Sequence, residues 1–237
     1  MTGKLMNDKN YVDTADAIRE QRTVAGFTRI KISGDATLQV AQGDREWLIV
    51  EAPENLMAQV ITEVVDGTLH LRLDGEAARG FLKRSTIHFF VGCKTLDAVA
   101  LSGTVAARIP TLTTPELLCA ASGAAMMEIH ALETEHLKVK ASGSATLTIA
   151  GHADQQTLSC SGALTYHAKQ LQSRQAQIEI SGAAEMLLWV DELLDVRLAT
   201  GACRISYYGS PQVKQPRSLL NRLTALGAAP EQPRMQS

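Results

Sequence analysis

Apolar and polar residues alternate along most of this chain. Leu137, Val139 and Ala141 alternate with His136, Lys138 and Lys140, and Ala176, Ile178 and Ile180 alternate with Gln175, Gln177 and Glu179. A period of two with one apolar face predicts half-buried strands. Between these runs a Ser-Gly step recurs, at Ser102-Gly103, Ser122-Gly123, Ser142-Gly143, Ser161-Gly162 and Ser181-Gly182, and Thr200-Gly201 closes the series. The intervals are 20, 20, 19, 20 and 19 residues. Past each step the third, fifth and seventh positions keep one apolar face, as in Val105, Ala107 and Ile109, then Ala145, Leu147 and Ile149, then Cys203, Ile205 and Tyr207. Helical repeats would show three- and four-residue spacing and would not tolerate a glycine at the centre of every unit.

A period this short and even predicts one small unit stacked on itself. Each unit holds two strands of about six residues that meet at Ser-Gly, followed by a polar return such as ETEH, GHADQ or QSRQ. The expected fold is all-β, a parallel β-helix-like solenoid of short strands with about 20 residues per coil. Each coil advances the stack by about 4.8 Å and pairs with the coils on either side. The twelve residues of the six steps are expected to form a structural corner. Gly takes backbone angles that other residues avoid, and Ser bonds the backbone groups freed there. A row of Ser nucleophiles would need GxSxG surroundings and a partnered His, neither of which is present.

The chain divides into four expected parts. Residues 1–23 form an N-terminal arm, disordered or a short helix, with TADAIREQR the helical stretch. Residues 24–92 form a less regular β part that continues or caps the same stack, with an Asp66-Gly67 hairpin signal. This region contains an earlier step, Ser33-Gly34, whose distance from Ser102 is not a whole number of units. Residues 93–213 are the Ser-Gly solenoid. Residues 214–237 are a C-terminal cap or disordered tail in which SLLNRLTAL forms one amphipathic helical turn.

Composition narrows the function classes. Aromatics are only 4%, so the core is built from small and β-branched side chains. A net charge of -2 and a pI near 6.3 offer no basic face for nucleic acid. No apolar run approaches the roughly 18 residues of a membrane-spanning helix. The N-terminus lacks the apolar core of a secretory signal, so the chain is expected to be either intracellular or stripped of a leader.

Candidate chemistry is sparse. Cys93, Cys119, Cys160 and Cys203 show no CxxC pairing, and the last three share the parity of apolar neighbours, as buried thiols acting as small hydrophobes would. Disulfides or a reactive thiol are the alternative. His70, His88, His130, His136, His152 and His167 fall in different units and read as solvated residues in preference to a metal site. Glu133, Glu135, Asp154, Glu192 and Asp195 fall in successive return loops and read as a solvated ridge, in preference to calcium ligands or glycosidase carboxylates. Trp47, Trp189, Tyr166, Tyr207 and Tyr208 can offer stacking faces to sugars, with Trp189 and Tyr208 off the inward parity. No catalytic residue, cofactor or metal site is assigned.

The stretches RTVAGFTRIKISGDATLQVAQGD, ITEVVDGTLHLRL and KTLDAVALSG, the serial SG steps and the closing ISYYGSPQV together resemble the putative auto-transporter adhesin, head GIN domain family of bacterial proteins, over about residues 22–215. The resemblance implies a right-handed parallel β-helix-like fold, export to the periplasm or cell surface, adhesion by analogy and no defined catalytic residues. The chain departs from the family in lacking a leader, which leaves a cytoplasmic location open, and in ending on RSLLNRLTALG. The leading expectation is a non-enzymatic binding or adhesion-type module of the envelope or surface, acting on an unknown protein or carbohydrate surface. One alternative is a carbohydrate-active β-helix enzyme, which requires two carboxylates within about 10 Å in a cleft. Another is a structural protein that self-assembles into homo-oligomers through its ends or a flat strand face.

Overall fold

The computed structural model describes residues 17–74, 86–216 and 223–228. Nearly all of them lie in strands of one continuous sheet that winds into a solenoid of about six turns. The coils follow β2 (Arg29–Gln42), β7 (Ala98–Thr113), β8 (Glu116–Ala141), β9 (Ser144–Cys160), β10 (Ala163–Ile180), β11 (Ala183–Ala199) and β12 (Cys203–Tyr208), each parallel to the next. Strands run through the stretches read as polar returns, so Glu133 and Glu135 lie within β8 and Asp154 within β9. Those returns pair coil to coil, as in Glu133 with His152 and Thr134 with Ala153. Stacking satisfies their backbone groups, and a loop there would leave them unpaired.

The alternating pattern fills the interior column by column. Leu38, Ala107, Met127, Leu147, Tyr166, Met186 and Ile205 are register neighbours in succession from β2 to β12, and all are buried. A fully buried side chain of this kind contributes about 1.5–3 kcal/mol from apolar burial. The 19- and 20-residue intervals are reconciled at a second corner, where the ladder shifts register between Ile129 and Leu132 and between His167 and Gln170. One residue is gained or lost there as a bulge, so the inward parity survives on both sides.

The 69-residue interval from Ser33 to Ser102 holds the N-terminal end of the stack. β5 (Thr68–Leu73) pairs in parallel with the first half of β2, and β6 (Ile87–Cys93) with its second half, so together they form a split coil beneath it. Antiparallel strands close that coil: β4 (Val60–Val65) on β5, β3 (Trp47–Pro53) on β6, and β1 (Ala17–Arg22) on β3. The β4–β5 turn is Asp66-Gly67, with φ of 47° and 71°, as the hairpin signal requires. Ser33 is nonetheless the register neighbour of Ser102, and Gly34 of Gly103. The earlier step therefore belongs to the same column, and the irregular spacing reflects the inserted cap.

Two helical expectations give way to strands. Ala17–Arg22, within the stretch read as helical, is β1, because antiparallel pairing with β3 supplies backbone partners and an Arg19–Glu51 ion pair. Leu223–Ala225, within SLLNRLTAL, is β14 and extends the stack beyond β12. The remaining residues of the arm and tail, 1–16, 217–222 and 229–237, lie outside the described residues.

Candidate functional site

The Ser-Gly steps form one line along the solenoid. Ser33, Ser102 and Ser122 are successive register neighbours, and backbone bonds from Ser142, Ser161, Ser181 and Thr200 to the preceding coil carry the line to Gly201. The coils approach closely along it. A Cβ on Gly123 would lie 2.7 Å from the nitrogen and oxygen of Gly103, and one on Gly143 would lie 2.3 Å from those of Gly123. Gly103, Gly123 and Gly201 also hold φ of 97°, 96° and 92°. Ser122 Oγ donates to the Leu101 carbonyl and Ser181 Oγ to that of Cys160, each at 3.4 Å. No column serine bonds a histidine among the described residues, so the arrangement supports the backbone and activates no hydroxyl.

Among the described residues, three clefts open along the strands. The first, about 400 Å³, is floored by Ala100 and Ala120, walled by Ser102, Ser122, Ser142 and Ser161, and flanked by Lys31 and Lys140. The second, about 540 Å³, crosses β10, β11 and β12 and holds Glu185 and Arg204, which are register neighbours. The third, about 120 Å³, lies among Gln39, Trp47, Phe90, Arg108 and Pro110 on the N-terminal sheet. None of the three contains two carboxylates.

Of the acidic residues singled out from the sequence, Asp154 and Glu192 meet Arg174 across coils, and Asp195 pairs within its own strand. Arg174 bonds Glu192 at 2.9 Å and reaches Asp154 at 4.0 Å, and Arg197 bonds Asp195 at 3.1 Å. The hydrogen bond and charge of Arg174 hold the Glu192 carboxyl below its ordinary range. Lys138 does the same for Glu116. Among the described residues no group of three His, Cys, Asp or Glu is placed to hold a metal. His88 Nδ1 bonds Thr37 Oγ1 at 2.7 Å, while His130 and His152 face Glu128 and Asp154.

All four cysteines are buried. Burial pushes Cys119 up to about 12, and burial with the nearby Glu46 carboxylate pushes Cys93 up to about 11, so both are thiols at neutral pH. The aromatic reading changes places. Trp189 is buried and donates Nε1–H to Asp191 at 2.9 Å, whereas Trp47 is half-buried at a cleft.

A buried polar chain sits inside the stack. Tyr166 Oη donates to Gln156 Oε1 at 3.0 Å, Gln156 Nε2 donates to Ser173 Oγ at 2.7 Å, and Ser173 Oγ donates to the Trp189 carbonyl at 2.7 Å. All three side chains are at most 1% exposed. The signal in the sequence was a polar residue at inward parity, because Gln156 is the register neighbour of Leu137 and Ala176.

This combination of a long parallel ladder, a glycine line and an antiparallel N-terminal cap can be set against known proteins. The sequence profile of the family described as putative auto-transporter adhesin, head GIN domain, matches residues 26–211. The chain belongs to this family. Among solved structures, a putative adhesin from Bacteroides fragilis NCTC 9343 superposes with a TM-score of 0.76 at 23% identity, covering 90% of this chain and 94% of its own. A putative adhesin from Parabacteroides merdae ATCC 43184 gives 0.65 at 19% identity, covering 90% and 95%. A putative lipid binding protein from Parabacteroides distasonis ATCC 8503 gives 0.64 at 19% identity, covering 91% and 96%. At these identities the likeness is one of fold. No curated protein matches the chain.

Proposed function

We propose that this head GIN domain protein is a non-enzymatic adhesion-type binding module of the bacterial envelope or cell surface. The solenoid is a rigid support whose outward strand faces meet a partner, a protein or a carbohydrate. The observation that carries this reading is family membership across residues 26–211, joined to a continuous ladder whose clefts lie along the strands and hold no pair of carboxylates. The ion pairs on the outer faces support it as well, because carboxylates tied to Arg174 and Arg197 stabilise a surface and are poorly suited to proton transfer.

The test is a panel of immobilised polysaccharides, matrix proteins and phospholipid vesicles, read in parallel for binding and for released reducing ends or unsaturated sugars. Vesicles belong in the panel because the Parabacteroides distasonis neighbour is named a putative lipid binding protein. Saturable binding without turnover is the expected result. Reproducible hydrolase or lyase activity that disappears on substituting a cleft or strand carboxylate, Glu185→Gln for example, would overturn the proposal.

A further inference from the structure

The third cleft is built around an indole laid flat on the sheet. Trp47 on β3 is the register neighbour of Gly92 on β6. A Cβ placed on Gly92 would lie 2.0 Å from Trp47 Nε1 and 2.4 Å from each of its bonded carbons, Cδ1 and Cε2. With a ring bond of about 1.3 Å, those distances make a right angle at Nε1, so the position of a Gly92 Cβ lies on the normal to the indole plane, over Nε1. One face of the ring therefore rests on the Gly92 backbone, and any residue with a side chain at position 92 would lift it. The opposite face looks outward, and Trp47 remains half-buried.

The surroundings of that face are polar on one side and positively charged. Phe90, Pro110, Gln39 and Arg108 complete the cleft, and no residue lining it is acidic. The side chains of Arg108 and Gln39, register neighbours on β7 and β2, are exposed and make no hydrogen bond or ion pair among the described residues, and Glu128, beside Arg108 on β8, is paired with His130. This differs from other arginines nearby, since Arg19 is paired with Glu51 and lies 5.4 Å from the Phe90 ring. A planar apolar platform beside an unpaired guanidinium suits a ligand with a flat apolar face and a carboxylate. The guanidinium fork matches a carboxylate in two parallel hydrogen bonds, and sites of this kind combine an apolar wall with a few placed polar groups.

We infer that Trp47 and Arg108 form a subsite for an acidic sugar, with the pyranose ring stacked on the indole and its carboxylate on the guanidinium. This deepens the adhesion reading and rests on it, naming the ligand class and the face that takes it. Gln39 is placed to bond a ring hydroxyl, and Gly92 is a positioning residue that acts through the orientation of Trp47.

The experiment titrates the full chain with galacturonate tetramers, oligosialic acid and a neutral glucan tetramer, following tryptophan fluorescence and calorimetry. Trp189 is buried, so a fluorescence change reports Trp47. At least one acidic oligosaccharide should bind saturably and at least tenfold more tightly than the neutral one. Trp47→Ala should weaken it by tenfold or more, Arg108→Gln should remove the preference for acid over neutral sugar, and Gly92→Ala should weaken binding although Trp47 and Arg108 are both present. Circular dichroism of each variant checks that the strands are retained. The inference is overturned if no acidic oligosaccharide binds, if the neutral sugar binds equally well, or if the Trp47 and Arg108 variants bind as the parent does. If those variants keep full binding to a surface in the wider panel, adhesion stands and this subsite falls.

Discussion

The glycine line invites a quantitative test, because its positions separate two causes that usually act together. Gly34 has φ of 112° but open space where a Cβ would go. Gly143 has φ outside the left-handed region, yet a Cβ there would lie 2.3 Å from two backbone atoms of Gly123. Gly123 carries both burdens, with φ of 96° and a Cβ 2.7 Å from two atoms of Gly103. A relaxed carbon contact needs about 3.5 Å, so an alanine at Gly123 must push the coils roughly 0.8 Å apart locally and lengthen ladder hydrogen bonds. Backbone strain costs about 1–3 kcal/mol and overpacking about 1–3 kcal/mol. Gly34→Ala should lose about 1–3 kcal/mol, Gly143→Ala about 3 kcal/mol or more because its contacts are the shorter, and Gly123→Ala about 2–6 kcal/mol. Guanidinium titrations followed by far-ultraviolet circular dichroism, with the denaturant slopes compared, measure the three losses. If Gly34→Ala proves as costly as Gly123→Ala, close approach of the coils is not the reason glycine recurs.

Other outcomes follow from the interior and the outer ladders. Tyr166→Phe strands Gln156 Oε1 in a dry interior, and a loss of about 1–3 kcal/mol is expected in the same titration; a neutral result would mean water reaches the chain. Cys119 has a folded-state pKa raised from 9.0 to about 12, so the folded chain holds the proton more tightly than the unfolded one. That contribution is intact below about pH 9 and is lost as pH rises towards 12, at up to about 1.4 kcal/mol per pH unit. Cys119→Ala should flatten the alkaline limb of a plot of stability against pH, and an unchanged slope would refute the assignment. Glu192→Gln removes the Arg174 pair on an open strand face, and only a small loss in the same titration is expected, shrinking further in high salt; a loss as large as that of Tyr166→Phe and insensitive to salt would show that the pair is integral to coil stacking.

Much of this fold was legible because strand parity and repeat length are local properties. The inward positions from Val105 to Ile205 were read correctly from alternation alone, and their burial follows from it. The Asp66-Gly67 turn was equally readable, since only a few residue pairs tolerate positive φ at both central positions. What escaped depends on pairing partners far away in sequence. Ser33 joined the column only when a 69-residue excursion was recognised as a separate cap, and nothing near Ser33 encodes that. Ala17–Arg22 and Leu223–Ala225 looked helical because short segments take the structure of the edge they meet. The same limit hid the third cleft. Trp47, Phe90 and Arg108 come from three strands, and the flat pose of the indole is set by a glycine 45 residues away.

The two ends of the stack are closed unequally, and this gives the molecule a mechanical direction. At the N-terminal end, antiparallel strands lock the split coil from both halves. At the other end, among the described residues, the three residues of β14 cover β12 through three register pairs and Gln212–Lys214 pairs with β11 through three more. A load pulling on the C-terminal end meets the short ladders first, three register pairs between β12 and β14 and six between β11 and β12, and only then the ladders of 14 or 15 pairs between β7 and β11, so the stack gives way stepwise from that end. Along that path only β1 lies beyond the strands carrying Trp47 and Phe90. A ligand held there would keep its grip while the far coils pay out under shear.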